Sequence, residues 1–393
     1  MLNWINILHF YQPPTVSDEI INEVVKSSYK PWVDFLNKHR NLKITLNFTA
    51  CLTERLKRSG YKKLLKDFTK IAERGQIEFL ESAAFHPILP LLPEQEIVKQ
   101  IKINQQINKE CFGKIYKPQG FFLPELAYSN KVGLILKKLG YKYIILDEIA
   151  LSQKHKNTKT RKHENKFLIN NNVKYKLSNG LFVVFRNREI SNTFVPQTII
   201  NILKQKKIPQ HIITATDGEL YGHRYWNWYP AYSYLINKTQ VKTLTASDYL
   251  KKTKKQKTIK PKACSWESDT KELKKKIPYA LWQHPKNKIH KFLWQLSGLA
   301  LKLNWQNQED PNHFASRLHL EKGLASCTFW WASNKDFKKL SPHAWQPTQV
   351  EIGATELLNS IRSLEKIKPL NKIAAEKIFS QIRNLIWKKH WQK

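Results

Sequence analysis

The chain has 393 residues, 41% of them apolar, with 12 Gly and 18 Pro and with 13 Trp, 15 Tyr and 18 Phe. That length allows one to three domains with a sizeable core, and the composition excludes a collagenous, low-complexity or mostly disordered chain. The oddity is charge: 67 Lys and Arg against 31 Asp and Glu leave a formal net +36. Such an excess points to nucleic acid or an anionic surface. Against this, only 11 of the 67 are Arg, the residue whose bidentate fork nucleic-acid sites favour.

Short apolar runs of strand length alternate with longer helical patterns, as a βα-repeat fold requires. The first is Leu2 to His9 and the second Leu42 to Phe48. A helical pattern over Tyr61 to Arg74 follows and stops at Gly75, a C′ glycine. The third run is Ile77 to Leu80, after which Pro93 and the acids Glu94 and Glu96 open a helix towards Cys111. The fourth is Gly120 to Leu123, then a helix to Leu139, then a fifth run, Tyr141 to Leu146. Leu181 to Phe185 and His211 to Thr216 complete seven strands. Gln153 to Lys166 reads as a solvated loop. Lys251 to Lys262, with seven lysines and no acid, reads as a linker or exposed connection. From Tyr279 onward helical patterns dominate: to Leu303, then Pro311 to Trp331, Pro347 to Ile367 and Asn371 to Trp391.

The polar residues His9, Glu78, Glu125, Asp147, Arg186 and Asp217 are expected at the C-terminal ends of these strands. In a closed parallel barrel all such ends open on one face, where the chemistry is done. A doubly wound open sheet is the alternative, but it offers no GxGxxG turn or P-loop here. The expected fold is therefore α/β: an incomplete (β/α)7 barrel over residues 1–260, followed by a C-terminal helical region, 261–393, packed on the barrel.

The four cysteines, Cys51, Cys111, Cys264 and Cys327, form no CxxC pair, which favours free thiols in a reducing compartment. The N-terminus lacks the n-region and cleavage site of a signal peptide, and no run of about 18 apolar residues occurs. The expectation is a soluble cytoplasmic protein with no membrane partner.

Two carboxylates stand out. Thr214 to His223 is a strand that stops at Asp217, turns on Gly218 and presents Glu219, Tyr221 and His223. Asp before Gly is also ordinary turn chemistry. Gly120 to Glu125 places a second carboxylate just past an apolar strand, after a proline that restricts the backbone; an acid at a helix N-terminus would read the same way. Two converging carboxylates fit glycoside cleavage, in which one protonates the leaving oxygen and the other meets the developing oxocarbenium ion. His9 and His86 are candidate hydroxyl binders or buried, hydrogen-bonded imidazoles. No HxH or HxxxH pair occurs, which argues against a zinc site. Trp226, Trp228 and Tyr229, the Trp330-Trp331 pair and Trp266 offer faces on which sugar rings could stack, or core packing.

On these residues the chain resembles glycoside hydrolase family 57. His9 to Pro14 resembles the family's first short region, with two residues between His9 and Gln12. Gly75 to Glu78 with Ser82 to Pro87 resembles the second, Gly120 to Glu125 the third and Thr214 to His223 the fourth. Trp266 to Asp269 is the best match to the fifth. Phe185 to Ser191 and Phe329 to Trp331 also resemble family stretches. The resemblance implies an incomplete seven-stranded barrel plus a helical region, retaining action on α-linked glucans or maltooligosaccharides, and no obligatory metal or other cofactor. It makes Glu125 the nucleophile and Asp217 the general acid/base. His9, Gln12, Glu78, His86, Arg186, Glu219, His223, Trp226, Trp266, Trp330 and Trp331 become candidate substrate-binding residues. Amylase, glucanotransferase and branching activities share the two carboxylates. A non-catalytic glucan-binding relative is the alternative reading, and a basic nucleic-acid-binding protein the third.

Overall fold

The computed structural model describes residues 1–151, 169–333 and 345–392. The expected loop Gln153 to Lys166 lies outside the described residues. The chain divides into two units, one of residues 1–12, 16–84 and 89–266, the other of 13–15, 85–88 and 267–393.

Among the described residues the first unit holds ten strands: β1 (Leu2–Phe10), β2 (Ile44–Phe48), β3 (Ile77–Leu80), β4 (Gly120–Phe122), β5 (Tyr143–Asp147), β6 (Lys174–Leu177), β7 (Phe182–Arg186), β8 (His211–Asp217), β9 (Val241–Leu244) and β10 (Gln256–Ile259). The seven apolar runs of the sequence are β1 to β5, β7 and β8. One sheet runs β3-β2-β1-β8, with β9 also on β1; the other runs β10-β6-β7-β5-β4. Two short joints link the sheets. At one, Glu81 N–H donates to Gly120 O at 3.0 Å and Phe122 N–H to Glu81 O at 2.8 Å. At the other, Asn187 N–H donates to Ile213 O at 2.7 Å, and Ile213 N–H to Asn187 Oδ1 at 3.1 Å. The ring is therefore a parallel seven-stranded barrel, short of the eight strands of a complete one.

Alternation along each strand sorts side chains between the barrel interior and the helix layer. Ile5, Ile7, Leu80, Phe122, Tyr143, Ile145, Val184, Ile213 and Ala215 form one apolar cluster inside. Trp4, Leu8, Phe10, Leu46, Phe48, Phe79 and Ile212 face outward into a second, built with the helices. These include Lys30–Lys38, Ala50–Arg58, Lys62–Glu73 and Trp228–Ile236. Gly120 is required by this packing: a Cβ there would lie 2.1 Å from the ring of Tyr143, which occupies the space inside the barrel.

Three strands were not expected. β6 pairs antiparallel with β7 and β10 parallel with β6, so the Lys251 to Lys262 stretch is not a plain linker. It holds the end of helix Ala246–Lys252 and then β10. Alternating lysines such as Lys174, Lys176 and Lys257 hide strands of this kind from an apolar-run criterion.

The second unit is mostly helical: Lys288–Gln306, His313–Gly323, Ser326–Trp330, Pro347–Ser363 and Pro369–Trp391. Gly323 and Gly353 let helices approach closely, since a Cβ on Gly323 would stand 2.7 Å from Leu357 and one on Gly353 2.3 Å from Thr328. Asn287 caps the first helix by accepting from Ile289 and His290 N–H. Among the described residues no helix is long and apolar enough to cross a membrane.

Candidate active site

Register brings the sequence-distant residues to one level of the barrel. His9 pairs with Asp217 on β8 and with Asn47 on β2, and Asn47 pairs with Leu80 on β3. His9, Asn47 and Asp217 thus share the C-terminal mouth. The His9 ring lies parallel to Phe122, with centroids 4.5 Å apart, and Tyr11 stacks at 5.8 Å. His9 Nδ1 is 2.7 Å from Asn47 Oδ1. Burial lowers the His9 pKa to about 4 against the opposing Asn47 bond, so the imidazole is neutral at pH 7 and serves as a hydrogen-bonding group.

Glu125 follows β4 in a turn where it has φ 57° and ψ 18°, and Leu126 has φ 46°. Consecutive left-handed residues without glycine are costly, and such backbone strain gathers at functional sites. The turn is pinned by Trp266: its backbone N–H donates to Glu125 O at 3.1 Å and its indole Nε1–H to Glu125 Oε2 at 2.8 Å. The same indole meets His9 and Phe122 edge-on, at 6.4 and 6.0 Å. An unbroken line of contacts therefore leads from Glu125 through Trp266 to His9, whose strand neighbour is Asp217.

Behind Trp266 lies an ion-pair cluster. Arg186 stacks over the indole at 5.2 Å, donates Nε–H to Asp147 Oδ2 at 2.7 Å and bonds Ala215 O and Asn192 Oδ1. Arg188 reaches the other Asp147 oxygen at 2.9 Å. With Asp147 wholly buried and Arg186 4% exposed, breaking this pair would strand a charge. Arg186 thus holds the indole that holds Glu125.

The Asp217-Gly218-Glu219 turn is fixed from three sides. Gly218 N–H donates to His9 O, and Gly218 O accepts from Ser28 Oγ and Trp32 Nε1, both at 3.2 Å. A Cβ on Gly218 would meet the Phe10 ring at 1.9 Å, so only glycine fits. Gln12 Nε2 donates to Glu219 Oε1 at 3.2 Å; Glu219 Oε2 is buried with no hydrogen-bond partner among the described residues. Burial, then the neighbouring Asp217 charge, raises the Glu219 pKa well above the carboxylate range. Glu219 therefore holds its proton more tightly than an ordinary carboxyl does.

Other candidates sit elsewhere. Glu78 is the second residue of β3, not at its C-terminal end, which corrects the strand-end expectation. It faces the barrel interior on the Leu80 side and accepts from Tyr143 OH at 2.6 Å, Ser247 N–H at 3.0 Å and Ser247 Oγ–H. That makes it a strut inside the barrel. His223 is exposed, 3.6 Å from Glu23, and Trp226 is 73% exposed. His86, with φ 56°, belongs to the second unit, where its Nδ1 lies 3.0 Å from Ser326 Oγ. Trp330 and Trp331 also belong to that unit, with ring centroids 6.5 Å apart.

Sequence reasoning missed Asn47 and Phe122 at the mouth. Asn47 carried a signal, since Thr45 and Asn47 put two polar residues on one face of an otherwise apolar strand. It also missed Glu81, whose carboxyl faces the helix layer under Asn104 and Tyr116.

Acids and aromatic rings at the strand ends of a parallel barrel are the architecture of (β/α)-barrel glycosidases. The chain belongs to glycosyl hydrolase family 57, whose family model matches residues 3–262. It is 30% identical over 142 residues to alpha-amylase 1 of Dictyoglomus thermophilum, a match covering 36% of this chain and 20% of that one. It is 23% identical over 148 residues to a 4-alpha-glucanotransferase of Thermococcus kodakarensis, covering 38% and 22%. The match thus spans about a fifth of the length of these curated relatives. In fold it is similar to a family 57 branching enzyme of Thermococcus kodakaraensis, with TM-score 0.69, 14% identity and coverage of 97% of this chain and 94% of that one. The 4-alpha-glucanotransferase of Thermococcus litoralis gives TM-score 0.68 at 16% identity, covering 93% and 60%.

Proposed function

We propose that the protein is a retaining hydrolase or glucanotransferase acting on α-linked glucans, with Glu125 as nucleophile and Asp217 as general acid/base. The observation that carries this reading is the presentation of Glu125: a carboxylate on a left-handed turn at a barrel strand end, held by an indole N–H. Such a bond fixes the carboxylate's direction and favours its ionised form. The relatives named as alpha-amylase and 4-alpha-glucanotransferase support an α-glucan substrate.

In this reading Glu125 attacks the anomeric carbon while Asp217, protonated, gives its proton to the departing glycosidic oxygen. The resulting glycosyl ester on Glu125 is then opened by water or by a sugar hydroxyl, which Asp217 deprotonates. His9, the strand neighbour of Asp217, is neutral at pH 7 and adds no formal charge beside it. His9, Gln12 and Trp266 remain the substrate-facing candidates of this unit.

The test is chromatography of products from maltoheptaose. Sugars longer than the substrate mean transfer, and shorter sugars alone mean hydrolysis; amylose tests for branching. Glu125→Gln abolishes turnover and covalent trapping with the circular dichroism spectrum unchanged, and Asp217→Asn costs about 10²–10⁴-fold in kcat. Full turnover by Glu125→Gln overturns the assignment. Oligosaccharide binding without products from the wild type identifies a non-catalytic glucan binder instead.

A further inference from the structure

The parallel strands give the barrel a second end. There the turn into β2 and the turn into β9 enclose a cleft of about 830 Å³, lined by Lys38 to Lys43, Ile236 to Thr239, Val241 to Leu244, Asp248 and Lys252. Its position is fixed by the fold, since both turns precede their strands. It therefore lies at the opposite end of the barrel from Glu125 and Asp217, and nothing in the proposed activity uses it.

Six cations line the cleft, namely Lys38, Arg40, Lys43, Lys238, Lys242 and Lys252, against one carboxylate, Asp248. That carboxylate is already engaged, with Lys43 Nζ 2.9 Å away. Arg40, Lys242 and Lys252 have no ion-pair partner among the described residues. The ordinary explanation for such lysines is compensation of helix ends. Three helices, Lys30–Lys38, Trp228–Ile236 and Ala246–Lys252, do end at this face. Each C-terminus supplies only about half a negative charge. Together with Asp248 they offset less than half of the cations, so roughly three to four positive charges stay unbalanced.

Background charge does not account for this concentration. On an open surface such charges are screened beyond about 8–10 Å, but concave walls of low dielectric focus the field. His39, on the wall, has its pKa held below the ordinary value, first by burial and then by the Lys38 charge. The floor is apolar, with Leu42 and Leu244 each 2% exposed, and the volume falls within the range typical of small-molecule sites.

We infer that this cleft binds an oligophosphate group, the tetrahedral polyanion shared by inorganic triphosphate and nucleoside triphosphates. Its three to four negative charges match the unbalanced cations, and its short chain of oxygens suits donors spread over two facing turns. Arg40 supplies the planar fork for phosphate, and Lys242 and Lys252 act as point charges. A neutral glucan carries no charge for these cations to neutralise, which separates the cleft from the carboxylate site in ligand chemistry.

The test is isothermal titration of the full chain with sodium triphosphate, ATP and sodium sulfate in 0.15 M salt. The expected result is saturable one-to-one binding of triphosphate, at least tenfold tighter than sulfate. ATP binding equal to triphosphate assigns recognition to the phosphate chain, and tighter ATP binding adds the nucleoside. The double variant Arg40→Ala/Lys242→Ala weakens triphosphate at least tenfold. Lys102→Ala/Lys109→Ala, which removes the same charge from a distant helix, changes it less than twofold. Absence of saturable triphosphate binding, equal sulfate affinity, or equal loss in the two double variants overturns the inference.

Discussion

Trp266 shows how one side chain can set the chemistry of another. Its indole N–H reaches Glu125 Oε2, its face carries Arg186 and its edge meets His9 and Phe122. Trp266→Phe keeps the ring and removes the donor. A hydrogen bond to a charged group contributes about 1.5–3 kcal/mol, so its loss destabilises the ionised carboxylate relative to the protonated one. The acidic limb of the kcat/KM profile moves to higher pH. A pH profile measured on the variant checks this. An unshifted limb would leave the indole a packing role only. The chain pattern could place Trp266 beside the carboxylates only as a family match, because its bond to Glu125 spans 141 residues and no local spacing encodes it.

At the level of elements, strand β4 is three residues long, yet it delivers Glu125. Its first residue, Gly120, is filled from across the barrel by Tyr143, whose hydroxyl also holds Glu78. Gly120→Ala drives a methyl group into that ring, and overpacking of a rigid core costs about 1–3 kcal/mol or more. The expected outcome is a lower urea midpoint with an unchanged slope, and a midpoint equal to wild type would show that Tyr143 can move aside freely. The seven apolar strands and the long helices were legible because burial on both faces leaves near-continuous Val, Ile, Leu and Phe runs. β6, β9 and β10 were not, since Lys-rich edge strands look like loops. Glu78 was misplaced because a strand's last residue depends on pairing with its neighbours, which the chain pattern does not contain. Glu125 and Asp217 stood out because each acid interrupts or ends an apolar strand. Glu219 stood out with Asp217, but its raised pKa comes from burial that only the three-dimensional structure shows.

For the molecule as a whole, buried titratable groups oppose one another across the pH scale. His9 and, in the second unit, His290 are lowered from 6.5 to about 4, chiefly by burial. Native protein therefore binds fewer protons there than the unfolded chain, and the stability they contribute above pH 6.5 is lost as pH falls through 4. Glu81 and Glu148 are raised from 4.5 to about 7, again chiefly by burial. Their contribution is full below pH 4.5 and is lost as pH rises through 7. Glu81→Gln removes one arm of this opposition. Relative to wild type, the variant gains up to about 3 kcal/mol at pH 8 compared with pH 4, read from urea midpoints at the two values. No pH-dependent difference would mean that Glu81 titrates normally.

The two short joints of the barrel give its parts a mechanical meaning. Asp217 ends a strand of one sheet and Glu125 follows a strand of the other. Between them the ring is closed around Glu81 and Ser82 on one side and around Arg186, Asn187 and Ser191 on the other, by a few bonds at each. The two sheets face one another like the jaws of a caliper, and the joints set how far apart they stand. In retaining glycosidases the carboxyl groups stand about 5–5.5 Å apart. Under the proposed roles, that gap spans the joints, where the ring is held by few bonds in place of a long strand ladder. The buried network of Asn104 and Tyr116 around the Glu81 carboxyl braces one of them.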